Sequence, residues 1–117
     1  MRVRFLAYVL VPVVALAALL GAQSQAADPK PVKIGLLYSL SGMAAVYTKG
    51  TVIGHQIAAE EINAAGGLLG GRKIEYVIRD DKLKPSIAVE EFRRMVTRDQ
   101  VDFVMGVISS GVALAVS

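Results

Sequence analysis

Val32-Lys33-Ile34-Gly35-Leu36-Leu37 is a short, mostly apolar run, and Ser39-Leu40-Ser41-Gly42 breaks it. Such a run suits a β-strand buried on both faces, as in a parallel sheet. Downstream, Val52, Ile53, Ile57, Ala58, Ile62 and Ala65 recur at helical spacing, with Lys49, Gln56, Glu60 and Glu61 between them. Asn63 to Gly67 ends that helix, and Gly66 or Gly67 suits the left-handed residue beyond a helix C-terminus.

Leu68 to Gly71 forms a glycine-rich turn, and Arg72 to Asp80 then alternates. Ile74, Tyr76 and Ile78 point one way, and Lys73, Glu75, Val77 and Arg79 the other, the pattern of a strand at or near a sheet edge. After the polar loop Asp80 to Lys84, Pro85 fits the first turn of a second helix, where its missing N–H costs nothing. Ala88, Phe92, Met95 and Val96 form its buried stripe. Val101 to Gly106 is a third apolar strand, and Val112 to Val116, beyond Ser109-Ser110-Gly111, reads as the first turn of a third helix.

The order β-α-β-α-β-α defines an α/β fold with a parallel sheet, helices on both faces and right-handed crossovers. The expected strand order is 2-1-3. In open sheets of this kind a ligand binds beyond the carboxyl ends of the strands, where the winding reverses. That rule nominates two loops, Ser39 to Tyr47 and Ile108 to Gly111, as the lining of a crevice.

Upstream of the first strand the chain changes character. Met1 to Arg4 is basic, Phe5 to Ala22 runs for 18 residues without a charge, and Gln23 to Ala27 is polar and small. This is the pattern of a secretory signal peptide over residues 1–26, with Ser24 and Ala26 at the −3 and −1 sites; cleavage after Ser24 is a second choice. An uncleaved anchor is the competing reading, and Pro12 and the Ala-rich end argue against it. Residues 27–31, with Pro29 and Pro31, form a stiff polar linker to a domain over 32–117.

Composition narrows the function classes. Of 13 basic residues, Arg2 and Arg4 leave with the signal peptide, so 11 face 10 acidic ones and the charge argues for no nucleic-acid partner. Arg93, Arg94 and Arg98 alternate with Glu90, Glu91 and Asp99 as a solvated helix face. The chain has no cysteine, which removes disulfides and a thiol for lipidation at this cut.

No catalytic set assembles. The glycines at 66, 67, 70 and 71 follow a helix and precede a strand, the reverse of a phosphate loop. His55 is the sole histidine and reads as a boundary residue, so no metal site is expected. Asp80 and Asp81 read as caps of neighbouring N–H groups, or as solvated, rather than as a metal or acid/base pair. The serines at the strand ends lack a nucleophile-elbow pattern. No cofactor is implied.

The two loops do offer binding chemistry. Ser110 and Gly111, beside Ser109, begin the third helix, where free N–H groups and the helix dipole favour a carboxylate. The Ser110 hydroxyl adds a donor, Gly111 admits close approach to the backbone, and Tyr47 offers a flat wall with a polar edge.

Ile34 to Gly42, Tyr47, Ala58 to Gly71, Asp80-Asp81, Pro85, Gly106 and Ser110 together resemble the leucine/isoleucine/valine-binding receptor family, the type I periplasmic binding proteins of ABC importers. Ala58-Ala59-Glu60-Glu61-Ile62-Asn63-Ala64-Ala65-Gly66-Gly67-Leu68-Leu69-Gly70-Gly71 is the most specific part of that likeness. The resemblance implies two Rossmann-like lobes closing on a ligand, with this chain as the incomplete N-terminal part of the first lobe.

It further implies a periplasmic protein that is not an enzyme. Receptors of this family hold amino acids, amides or aromatic acids; this one is expected to capture a small carboxylate-bearing solute such as a branched-chain amino acid and to deliver it to a cognate ABC permease. By the resemblance Ser110 contacts the ligand carboxylate and Tyr47 packs on the ligand. Gly111 stands where amino-acid binders often carry Ser or Thr, and Thr48 where Gly commonly follows the aromatic. The other reading the fold allows is a sensor domain that switches a partner. A part of one lobe, with apolar surface uncovered, is expected to fold poorly alone and to retain no ligand.

Overall fold

The computed structural model describes residues 28–117. The predicted signal peptide, residues 1–26, lies outside the described residues, as does Ala27 of the predicted linker. Strand β1 spans Val32–Tyr38, a 3-10 turn Gly42–Ala44 leads into α1 at Ala45–Ala64, and β2 spans Ile74–Asp80. Helix α2 follows at Pro85–Thr97, β3 at Phe103–Gly106 and α3 at Ser110–Val116.

The three strands are parallel in the order β2-β1-β3. Val32 pairs with Ile74 and Tyr38 with Asp80 on one side of β1, and Ile34 pairs with Phe103 and Leu37 with Gly106 on the other. The alternation of β1 becomes two apolar layers. Leu36 and Tyr38 pack with Val52 of α1, flanked by Ile34, Tyr76 and Ile78. Leu37 points to the opposite face and packs with Ala88 and Met95 of α2 and Val112 of α3. Leu36 and Leu37 are fully buried, and each contributes about 2 kcal/mol of apolar transfer free energy.

Helix α1 meets the sheet on a narrower stripe than its sequence suggests. Thr48, Val52 and Ala59 are its buried positions, whereas Ile53 and Ile57 are 56% and 51% exposed. Ile53 follows Val52 by one residue and is therefore turned about 100° around the helix axis, off the sheet. On α2, Ala88 and Met95 are buried and Phe92 packs against them, but Val96 is exposed for the same reason.

The ends of α1 and β2 are joined by side-chain bonds. Gly66 and Gly67 take φ of 111° and 87°, and the Gly67 N–H donates to the Ile62 carbonyl. Asn63 then accepts from the Ile74 N–H at 2.7 Å and donates to the Ile74 carbonyl at 3.0 Å, fixing where β2 begins. The Arg72 guanidinium donates to the carbonyls of Lys30 and Pro31, which ties the residues before β1 to the same end of the sheet.

The charged face of α2 divides. Arg93, Arg94, Arg98 and Glu90 are exposed, and Arg94 pairs with Glu90 and Glu91 one turn back. Glu91 and Asp99 are not the solvated groups the sequence pattern implied. Both face Arg79 of β2, whose guanidinium donates to Asp99 Oδ2 at 2.7 Å. That bond, against a smaller desolvation effect, holds the Arg79 guanidinium above its ordinary value. The correction is one of position: the end of α2 lies over the strand, so its inward carboxylates meet a strand cation.

Candidate functional site

Because the strands are parallel, all three strand-to-helix turns leave the same edge of the sheet. The turn after β1 contains Ser39, Leu40 and Ser41; that after β2, Asp81 to Lys84; that after β3, Val107 to Ser109. Ser39 and Asp81 are fully buried, an unusual place for polar side chains unless they satisfy one another. They do so in part: the Ser39 hydroxyl donates to Asp81 Oδ1 at 2.5 Å, while Asp81 Oδ2 is buried without a hydrogen-bond partner among the described residues. Oδ1 also accepts from the Leu83 N–H at 2.8 Å.

Asp80 repeats this pattern one residue earlier. Its Oδ1 accepts from the Leu40 N–H and the Lys82 N–H, both at 2.8 Å. Burial pushes the Asp80 carboxyl up, but donors from Ser41, Lys82 and Leu40 outweigh it and hold the group below its ordinary value. The acidic pair is thus a set of caps, as the sequence suggests, and Asp81 is inaccessible rather than solvated.

Thr48, which stands beside Tyr47, is also buried, and its hydroxyl donates to the Ser39 carbonyl at 2.6 Å. A threonine at this position therefore holds the start of α1 onto the first turn. Beta3 leaves the sheet through Gly106 at φ 115° and Val107 at φ 65°, and the Val107 N–H donates to the Leu37 carbonyl. A side chain at Gly106 would collide with that carbonyl.

Above these turns lies an open, mainly apolar depression of about 370 Å³, lined by Met43, Ala44, Tyr47, Leu83 and Ile108. Tyr47 is 77% exposed and presents its ring there. Ile108 brings the β3–α3 turn to the same rim. Ser109 is half-buried and Ser110 and Gly111 are exposed; they follow Ile108 directly but are not among the lining residues. Ser109 makes no side-chain cap on α3, so its hydroxyl does not occupy the first-turn N–H groups.

Met43 and Ala44 fall within the nominated loop Ser39 to Tyr47, but Leu83 escaped the sequence reading. The available signal for Leu83 was an apolar residue within the otherwise charged loop Asp80 to Lys84, at the edge already nominated. His55 sits at the boundary of the other face, where Nε2 lies 3.1 Å from the Tyr38 hydroxyl and its ring meets Tyr76 edge-on. Burial raises the Tyr76 phenol above its ordinary value. Among the described residues no cluster of three His, Cys, Asp or Glu side chains is arranged to hold a metal ion.

Residues 31–117 match the family profile described as periplasmic binding protein. The chain belongs to that family. Among periplasmic binding proteins, it is 38% identical over 101 residues to Leu/Ile/Val-binding protein homolog 7 of Brucella suis, an alignment covering 86% of this chain and 24% of that protein. The chain therefore spans about a quarter of the length of this curated relative.

Solved members share the fold. The branched-chain amino acid transporter substrate-binding protein LivJ from Streptococcus pneumoniae, in complex with isoleucine, matches with a TM-score of 0.69 and 38% identity. That alignment covers 74% of this chain and 25% of LivJ. A solute-binding protein of an ABC transporter from R. palustris, in complex with benzoate, matches with a TM-score of 0.64 and 32% identity over 74% of this chain and 23% of its own. The partial Rossmann-like lobe and its 2-1-3 sheet are those of type I periplasmic binding proteins.

Proposed function

We propose that the protein is the extracytoplasmic solute-binding component of an ABC importer, taking a small carboxylate-bearing solute such as a branched-chain amino acid. The observation that carries this reading is the convergence of three strand-to-helix turns on one open apolar depression, with Tyr47 and Ile108 on its rim. Apolar walls suit the side group of the solute, and the serines at the start of α3 suit its carboxylate.

In this reading Tyr47 packs on the solute, Ser110 donates its hydroxyl to the carboxylate, Ser109 adds a second hydroxyl and Gly111 lets the carboxylate approach the backbone. Isoleucine and benzoate, the ligands of the two solved relatives, share a carboxylate joined to an apolar body. No covalent chemistry is needed. Residues 32–117 form the N-terminal part of the first lobe, a second lobe closes over the depression, and the closed state docks on the cognate permease. Residues 1–26 direct export to the periplasm and are cleaved, with 27–31 left as a linker.

Isothermal titration of the protein expressed from its complete reading frame tests this. The panels are amino acids, amides and aromatic acids, with micromolar binding expected in at least one. No heat from any of the three overturns solute capture.

A further inference from the structure

The chain between β2 and α2 turns through Asp81-Lys82-Leu83-Lys84, closed by a bond from the Lys84 N–H to the Asp81 carbonyl at 2.9 Å. Both central residues have positive φ, 52° at Lys82 and 58° at Leu83. Two left-handed residues in succession are the mark of a type I′ turn, which ordinarily takes Asn, Asp or Gly. Leucine is a poor choice for that backbone, since its Cβ crowds the following carbonyl. Something other than turn chemistry accounts for a leucine here.

The surroundings show both how the strain is held and where it leads. Asp80 Oδ1 accepts the Lys82 N–H and Asp81 Oδ1 accepts the Leu83 N–H, so two carboxylates lock the two unfavourable residues. Asp81 is itself fully buried and held by Ser39. Leu83 is then carried to the depression beside Tyr47 and Ile108, still 42% exposed. A residue that is strained, locked and left partly bare has more to offer a ligand than the core, and strained backbone of this kind gathers at binding sites.

We infer that Leu83 is a specificity-determining residue of the solute site, forming the apolar wall opposite Tyr47 that selects solutes with an aliphatic or aromatic body. This rests on the solute-capture reading above and adds a third loop to it. The Asp80–Asp81 pair acts through Leu83 and is a positioning device, not a ligand contact.

Leu83→Gly separates the alternatives, because glycine accepts the positive φ and removes only the side chain. The protein from its complete reading frame is titrated with isoleucine, benzoate, alanine and glutamine, and its melting temperature is recorded. The expected result is a melting temperature no lower than that of the unmodified protein. Binding of isoleucine or benzoate should weaken about tenfold or more, with a smaller change for alanine. Leu83→Phe should alter the preference between isoleucine and benzoate.

Unchanged affinity for both in Leu83→Gly overturns the assignment while leaving solute capture intact. So does an unmodified protein that prefers glutamine to both. An unmodified protein that binds no solute in any panel overturns the capture reading and, with it, the role of Leu83.

Discussion

Asp81 Oδ1 accepts two hydrogen bonds from two different loops, the Ser39 hydroxyl at 2.5 Å and the Leu83 N–H at 2.8 Å. One buried oxygen therefore sets the spacing between the turn after β1 and the turn after β2. Removing it leaves a buried hydroxyl and an amide without their acceptor, a loss of about 1–3 kcal/mol. Asp81→Ala is expected to lower the urea midpoint of the full-length protein accordingly. Asp81→Asn keeps an acceptor oxygen and should lose less.

Asp80 provides a pH signature. Its carboxyl lies below the ordinary value in the folded protein because Ser41, Lys82 and Leu40 donate to it. A depressed carboxyl stabilises the fold fully above its unfolded pKa, about 4. That contribution is lost as the pH falls through the lower folded value. Urea midpoints of the unmodified protein and Asp80→Asn should therefore differ most at pH 5 to 7, begin to converge as the pH falls below about 4, and meet only below the folded value. A gap that stays constant on acidification would show that the carboxylate charge plays no part.

Gly106 is where β3 must leave the sheet without striking β1. Its φ of 115° and the collision an added Cβ would make with the Leu37 carbonyl act together. Gly106→Ala is expected to cost about 1–3 kcal/mol from the backbone conformation alone, and more from the collision. The midpoint of thermal or urea unfolding reads this directly. A neutral substitution would mean that the β1–β3 junction relaxes freely.

The fold was legible because its signals are periodic. Leu36 and Leu37 are both apolar, and only a strand covered on two faces buries both, which is what α1 and α2 provide. Tyr76 and Ile78 alternate with Arg79 as an edge strand requires, and Pro85 opens α2 where its missing N–H costs nothing. The lining of the depression was legible only in part. Tyr47 and Ile108 follow from topology, since Ile108 sits just past the end of β3 and Tyr47 in the first turn of the helix that follows β1. Leu83 does not, because its place depends on two left-handed residues that the sequence Lys82-Leu83 gives no reason to expect. Ile53 and Ile57 show the opposite failure: helical spacing marks them as core, but the stripe that meets the sheet is narrower than the apolar pattern.

Phe103 and Met105 alternate along β3, are 62% and 45% exposed, and sit on a strand that among the described residues pairs on one side only. A bare apolar edge of this kind recruits other strands. Residues 28–117 expressed alone should bind a hydrophobic dye such as ANS, unfold over a broad temperature range and self-associate. A sharp, monomeric, dye-free transition would show that this segment is self-sufficient.

Gly111 lies in the first turn of α3, and an added Cβ would meet only the Ser109 hydroxyl, at an ordinary 3.8 Å. The fold therefore does not demand glycine at this position, and helix propensity favours alanine there by up to about 1 kcal/mol. If glycine serves the backbone approach of a carboxylate, Gly111→Ala should leave the melting temperature equal or higher. It should also weaken the binding of isoleucine or benzoate about tenfold, because a methyl group then stands between the ligand and the amides. Calorimetry beside titration separates the two effects. Retained affinity would move the carboxylate away from the start of α3 and onto the rim formed by Tyr47, Leu83 and Ile108.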